Sequence, residues 1–384
     1  MSATANGLPV QRLLVEEFEG EVRAWRELAA RAMEPNVFFE PAFALALAGS
    51  TPAQLRPRFV AVWRQESLER RLVGLFPIAA QRFRFGGDLM SIWLHKQTAL
   101  GAPLVDRDCD APALAAFLDW LAKGSSASGV VLPRLVRDGP LHKALLDVAR
   151  SRGGQATELE IFDRAALLRG SDRDALCRRG ASAKALKDLQ RRRRRLAEAG
   201  AASFSISASA QEARVAAGRF LELESSGWKR STAFLVDPAL AAFFRSATEG
   251  LAREGKCRIA SLTLDERPLA MGVVLESVDR AFFWKIAYDE AFRSRAPGIG
   301  LVYELTAALA ARDDIALTDS CAIANHPMID RFWPDRIGIC DLAVPLPGVS
   351  AAAFASACRR ELWRRRLREK AKRVLQGLLA RKQS

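Results

Sequence analysis

The residues best suited to chemistry fall between positions 281 and 326. Arg295-Ala296-Pro297-Gly298-Ile299-Gly300 joins an expected strand at 282–286 to an apolar helix expected to open near Ile299. Glycines let backbone approach a ligand, the first N–H groups of a helix lack internal partners, and an arginine can pair with phosphate oxygens. The spacing suits an anion site, and equally a plain strand–turn–helix corner. Pro297 removes one N–H from the loop. Groups able to move a proton lie around it. Asp289 and Glu290 stand where the strand leaves the sheet, and Asp319 ends the next strand. His326 follows, with a ring that titrates near neutral pH. Each carboxylate also suits a turn or a helix cap. Trp228-Lys229 and Trp284-Lys285 each set an indole beside a cation. That pair stacks on a ring-shaped ligand, or packs in a core with the lysine reaching out to water. His95 and His142 have no partner pattern and read as structural or surface residues.

Positioning these groups takes most of the chain. At 384 residues, 49% of them hydrophobic, two or three domains with real cores are expected. The order of elements in 10–168 recurs in 203–344. Glu40-Pro41-Ala42 matches Asp237-Pro238-Ala239, and the turn before Arg71-Leu72 matches the turn at Arg267-Pro268, at almost the same shift. Duplication follows. The expected fold class is α/β (α+β), with two tandem domains, each a mixed, mostly antiparallel sheet flanked by helices. The divisions are 1–170, a basic linker helix in 171–200, a second domain in 201–347, and a basic amphipathic helix in 348–384. Only the second copy has the proline–glycine loop feeding a helix. In the first copy Leu100-Gly101-Ala102-Pro103-Leu104 runs on without an adjacent helix, so the ligand is placed in the second half.

The net charge of +14 is concentrated. Residues 178–195 carry nine Lys/Arg and one Asp; residues 359–382 carry eleven Lys/Arg and two Glu. The remainder is nearly neutral, so two basic helices are attached to an ordinary body. Arg191 to Arg195 are consecutive, span more than one turn and cannot share one face. Solvated surface is the first reading and an anionic ligand the second. In 359–382, Leu362, Trp363, Leu367, Val374, Leu375, Leu378 and Leu379 lie among arginines. That pattern suits an interfacial anchor on anionic lipid, or docking on the body. Cysteines 109, 177, 257, 321, 340 and 358 form no C-x-x-C pair, so neither a metal nor a redox motif is expected. With no signal-like start and no long apolar run, the expected location is cytoplasmic, with peripheral contact to the inner face of a membrane through 359–382.

Several of these stretches carry a family resemblance. Gly227-Trp228-Lys229-Arg230 before Ser231-Thr232-Ala233-Phe234, Trp284-Lys285 with Tyr288-Asp289-Glu290, and Arg295-Ala296-Pro297-Gly298 resemble the CelD/BcsL-like branch of the GNAT acyltransferases. Phe38-Phe39-Glu40-Pro41 and Leu72-Val73-Gly74-Leu75-Phe76-Pro77 fit the same branch, over about 10–345. It is grouped with cellulose and exopolysaccharide biosynthesis proteins and is related to the tandem-GNAT FemAB peptidyltransferases. The resemblance implies acyl-CoA as co-substrate, with Arg295, Ala296, Gly298, Ile299, Gly300 and Leu301 around its pyrophosphate. It implies backbone N–H groups near Ile286 and Ala287 at the acyl carbonyl, and counts Asn325 with the donor set. Asp289, Glu290, Asp319 and His326 are the candidates for acid or base. Trp228, Lys229, Trp284, Lys285 and Tyr288 would meet a small-molecule or saccharide acceptor. No metal is implied. FemAB relatives use aminoacyl-tRNA, so charged tRNA is the alternative donor. A non-catalytic, membrane-peripheral scaffold is the third reading.

Overall fold

The computed structural model describes residues 2–3, 7–66, 69–79, 88–227 and 232–381. Trp228 and Lys229 lie outside the described residues. The first half runs β1 (Ser2–Ala3), β2 (Pro9–Leu13), α1 (Val22–Arg31), α2 (Pro41–Ser50), β3 (Arg58–Glu66), β4 (Glu69–Ile78), β5 (Leu89–Ser91), β6 (Leu104–Val105), α3 (Asp110–Gly124), β7 (Gly129–Val136), α4 (Pro140–Ser151) and β8 (Thr157–Leu168). The basic segment folds as two helices, α5 (Arg173–Gly180) and α6 (Ala183–Ala197). The second half runs β9 (Ala202–Ile206), α7 (Ala210–Ser226), α8 (Pro238–Arg253), β10 (Cys257–Leu264), β11 (Arg267–Ser277), β12 (Arg280–Tyr288), α9 (Pro297–Ala310), β13 (Leu317–Asp319) and β14 (Asp335–Pro345). Helix α10 (Ala351–Arg381) closes the described chain.

Local chemistry explains many of these boundaries. Pro41 and Pro238 sit at the first positions of α2 and α8, where a missing N–H costs nothing. The Asp237 carboxylate caps α8 by accepting from the Ala239 N–H. Asp265 and Glu266 both have positive φ, the geometry of a two-residue hairpin turn, so β10 and β11 pair from Leu264 and Arg267 outward. Helix α6 is capped by Ser182 and buries Leu189 and Leu196, two turns apart on one face.

The strands form two sheets. One has the order β1-β2-β3-β4-β6, the other β5-β7-β14-β8-β13-β12-β11-β10-β9. The larger sheet uses strands from both halves: β14, last in sequence, lies between β7 and β8 and is antiparallel to each. The halves also share a core. Phe43 of α2 meets Phe243 of α8 at 5.2 Å between ring centroids, and Phe38 meets Phe282 of β12 at 5.4 Å. Buried Glu40 pairs with Lys256 and accepts from the Ser277 hydroxyl, both in the second half. Among the described residues no helix is long and apolar enough to cross a membrane.

Candidate functional site

Strand β12 is the element around which the site forms. It pairs with β13 only through Arg280, Ala281 and Phe282, because β13 stops at Asp319. Beyond Phe282, among the described residues, β12 continues to Tyr288 with no further pairing to β13. A bulge falls just past the parting: Val273 pairs with Lys285 and Val274 with Phe283, leaving Trp284 extra. Bulges bend and twist a strand, so β12 diverges from β13 here. The stretch past β13 thus runs from Lys285 to Tyr288, which includes Ile286 and Ala287 of the expected carbonyl-facing stretch.

After β12 the chain makes a 3-10 turn over Glu290–Arg295 and then enters α9. Ala296, between them, has φ 51° and ψ 53°, a left-handed conformation uncommon without glycine. Helix α9 starts at Pro297, two residues before the expected Ile299. Proline is thus at the first helical position, where the lost N–H is one the helix does not use. The amides of Gly298 and Ile299 remain at the helix start with no partner among the described residues, while Gly300 N–H donates to Ala296 O at 3.1 Å. Despite Pro297, the loop keeps two helix-start amides of the kind that suit an anion. The two glycines serve packing. A Cβ on Gly298 would lie 3.3 Å from the Tyr288 ring, and one on Gly300 3.2 Å from Leu262. Gly298→Asp would therefore strain the fold as well as the site, and is not a clean test of binding.

Helix α6 lies against this turn. Arg192 donates to Ser294 O, and Arg193 pairs with Glu304 of α9 while lying 4.6 Å over the Tyr303 ring. Arg173 of α5 covers that ring at 4.0 Å. Arg191, Arg192 and Arg195 line a cleft of about 580 Å³ together with Arg295, Ser294, Ala199 and Glu198. Of the five arginines read first as solvated surface, Arg192 is half-buried and Arg193 stays exposed, and both also fasten α6 to the α9 turn. Arg195 is exposed on the same cleft.

The acid–base candidates separate sharply. Asp319 is buried, paired with buried Arg164 of β8, and accepts the Cys321 N–H at 2.8 Å. It is committed to that pair and is not an available base. Asp289 caps the 3-10 turn, accepting from Ala291 N–H at 2.9 Å and from Arg267 at 2.6 Å. His326 accepts the Met328 and Ile329 N–H groups at its Nδ1, both at 3.4 Å, as a cap of the short turn that follows. Glu290 is exposed, with no partner among the described residues. Asn325 is exposed, with φ 56°.

The expected donor and acceptor residues divide similarly. Leu301 is fully buried, so it serves the core. Trp284 is also a core residue: Phe43, Phe234, Phe243 and Phe244 surround it, and its Nε1–H donates to Gln97 O at 2.8 Å. It is not free to stack on a sugar. Lys285 is half-buried, its Nζ 5.3 Å from the Phe234 ring and 5.2 Å from the Trp284 ring. Tyr288 packs against α9.

His95, read from the sequence as a structural or surface residue, is half-buried near this region. The loop carrying it reaches from the first half to Trp284 through Gln97, and brings the imidazole into the field of Lys285. Burial and the charges of Lys96 and Lys285 lower its pKa to about 4. Its Nδ1 accepts the Gln97 N–H at 3.2 Å, which leaves the proton of the neutral ring on Nε2. Only tertiary contact between the halves reveals this group. His142, Glu158 and Cys340 converge within 4.8 Å elsewhere, but Arg137 already holds Glu158 at 2.8 and 3.3 Å.

A strand that parts from its neighbour, a tight turn and an N-terminal helix end follow one another, and the sequence around them has a known counterpart. Residues 183–325 match the acetyltransferase (GNAT) domain family. In fold the chain is similar to FemX, with 11% identity, a TM-score of 0.53, and 88% of this chain and 98% of that one covered. It is similar to the C-terminal domain of a putative lysylphosphatidylglycerol synthetase from Agrobacterium fabrum, with 12% identity, a TM-score of 0.52, and 89% and 96% covered. A conserved protein of unknown function from Bacteroides thetaiotaomicron gives 9% identity and a TM-score of 0.50, with 88% and 99% covered. A search of curated protein sequences found no match. These likenesses concern the fold: the GNAT match runs from α6 to residue 325, short of β14, and the structural likenesses span both halves.

Proposed function

We propose that the chain is an acyltransferase that takes an acyl group from acyl-CoA and passes it to an amine or hydroxyl of a small molecule or saccharide. One observation carries this reading. The end of β12 past β13, the start of α9 and the arginine cleft beside α6 adjoin one another at one end of the GNAT-like half. Phosphates suit the amides of Gly298 and Ile299 and the charges of Arg295, Arg191 and Arg195. The acyl arm suits the edge of β12, where backbone groups near Ile286 and Ala287 polarise a carbonyl. The acceptor heteroatom attacks the thioester carbonyl, the C–S bond breaks, and the thiolate leaves. The acceptor proton passes to a base and the thiolate gains one. Glu290 is an exposed carboxylate at this end, with no partner among the described residues, and the base we assign. Lys285 and the Nε2–H of His95 supply positive charge and a donor for the developing oxyanion. A polysaccharide precursor as acceptor follows from the CelD/BcsL-like resemblance.

Isothermal titration with acetyl-CoA and longer acyl-CoAs tests the donor. Binding that Arg195→Ala weakens supports it; absence of heat with every acyl-CoA, on folded protein, refutes it. The arginine cleft also favours a second reading, aminoacyl transfer from charged tRNA, a polyanion larger than CoA. FemX and the lysylphosphatidylglycerol synthetase domain share the fold in which such a reading would operate. Salt-sensitive retention of charged tRNA supports it, and binding indifferent to salt counts against it.

A further inference from the structure

Helix α10 has two apolar faces, and the structure uses one. Its first half docks on the larger sheet: Phe354, Ala357 and Cys358 pack with Leu89, Val131, Leu159 and Ala343. Arg365 locks the docking by pairing with Asp341 and Glu160, and Arg360 pairs with Asp88. From Arg366 to Arg373 every residue is exposed. The helix therefore leaves the body at Arg366. Its remaining residues to Arg381 extend roughly 24 Å at the rise of an α-helix.

The second face begins before that departure. Trp363 is 62% exposed and Leu367 43% exposed. At about 100° per residue, Trp363 points roughly 140° away from Cys358. It cannot share the docked face. The sequence continues the same spacing through Ala371, Val374 and Leu378. Around this stripe, residues 366–381 hold six Lys/Arg and one Glu. The helix is thus fixed to the body through its first half, with Trp363 and Leu367 exposed where it departs and basic residues beyond.

We infer that the projecting half of α10 lies in the surface of an anionic bilayer, with Trp363 and Leu367 at the headgroup boundary. Charge selects this occupant. A second copy would bring two strongly basic helices together, which repel. Nucleic acid would satisfy the cations and leave Trp363 and Leu367 in water. An anionic lipid surface satisfies both, with roughly 1 kcal/mol from each Lys or Arg near the surface. This inference is independent of the donor site.

Vesicle flotation of the full chain tests it, comparing phosphatidylcholine alone with phosphatidylcholine containing phosphatidylglycerol, near physiological salt. The chain is expected to float with the anionic vesicles only. Trp363→Glu combined with Leu367→Glu should lower that partition at least tenfold with an unchanged melting temperature, since neither side chain packs on the body. Failure to float with anionic vesicles overturns the inference. So does equal flotation of the double variant, which would show attraction by charge alone. Sedimentation giving a dimer that the double variant abolishes, without vesicle binding, overturns it in favour of a second copy. An RNA mobility shift unaffected by the double variant, again without flotation, overturns it in favour of nucleic acid.

Discussion

Asp319 and Arg164 are each 2% exposed and face one another across β13 and β8. Removing one charge of such a pair strands the other in a low-dielectric interior, at a typical cost of about 3–5 kcal/mol. Asp319→Ala should therefore lower the melting temperature and destabilise the chain in urea. Glu290→Gln should leave stability intact and lower kcat with little change in acyl-CoA affinity; equal loss of stability in the two variants would contradict this division. His95 gives a pH prediction. Its folded pKa is about 4, below the ordinary 6.5, so the folded state resists protonation. The unfolded chain binds that proton first as pH falls. His95 thus costs no stability above pH 6.5, and stability declines between about 6.5 and 4. His95→Gln should flatten the decline in melting temperature over that window.

At the scale of elements, the α6–α9 junction joins packing contacts to the proposed donor cleft. Arg193 is occupied by Glu304 and Tyr303, whereas Arg195 lies exposed on the cleft. Arg193→Ala should loosen the helix pair and lower thermal stability. Arg195→Ala should preserve stability and weaken acyl-CoA binding about tenfold, consistent with loss of one charge-assisted hydrogen bond. Calorimetry for stability and titration for affinity separate the two. Gly298→Ala brings a methyl to 3.3 Å from the Tyr288 ring, so a modest loss of stability, about 1 kcal/mol, is expected.

At the scale of the whole molecule, β14 ties the chain together. It fills the gap between β7 and β8, and its removal leaves two long strand edges unpaired. A chain ending at residue 334 should fail to fold cooperatively, with protease sensitivity spread into the first half. If residues 1–334 instead melt in one sharp transition, β14 is dispensable to the first-half fold. The shared aromatic core at Phe38, Phe43, Phe282 and Trp284 makes the same point without strand pairing.

Local sequence determined the elements. Pro41 and Pro238 begin helices, the alternation in 257–276 makes a hairpin, and the duplicated order makes two related halves, because propensity, capping and turn chemistry act over a few residues. Part of the candidate site's local structure was legible for the same reason. The turn through Arg295 and Gly298 lies within one strand–helix connection, and the basic runs are visible as composition. Tertiary structure decided which groups are available. Asp319 is withdrawn by an arginine 155 residues away, and Trp284 is enclosed by rings from both halves. His95 is drawn beside Lys285, and one face of α10 is covered while another is left open. Each outcome depends on burial and on charges distant in sequence, and such pairings exist only once the sheets have closed.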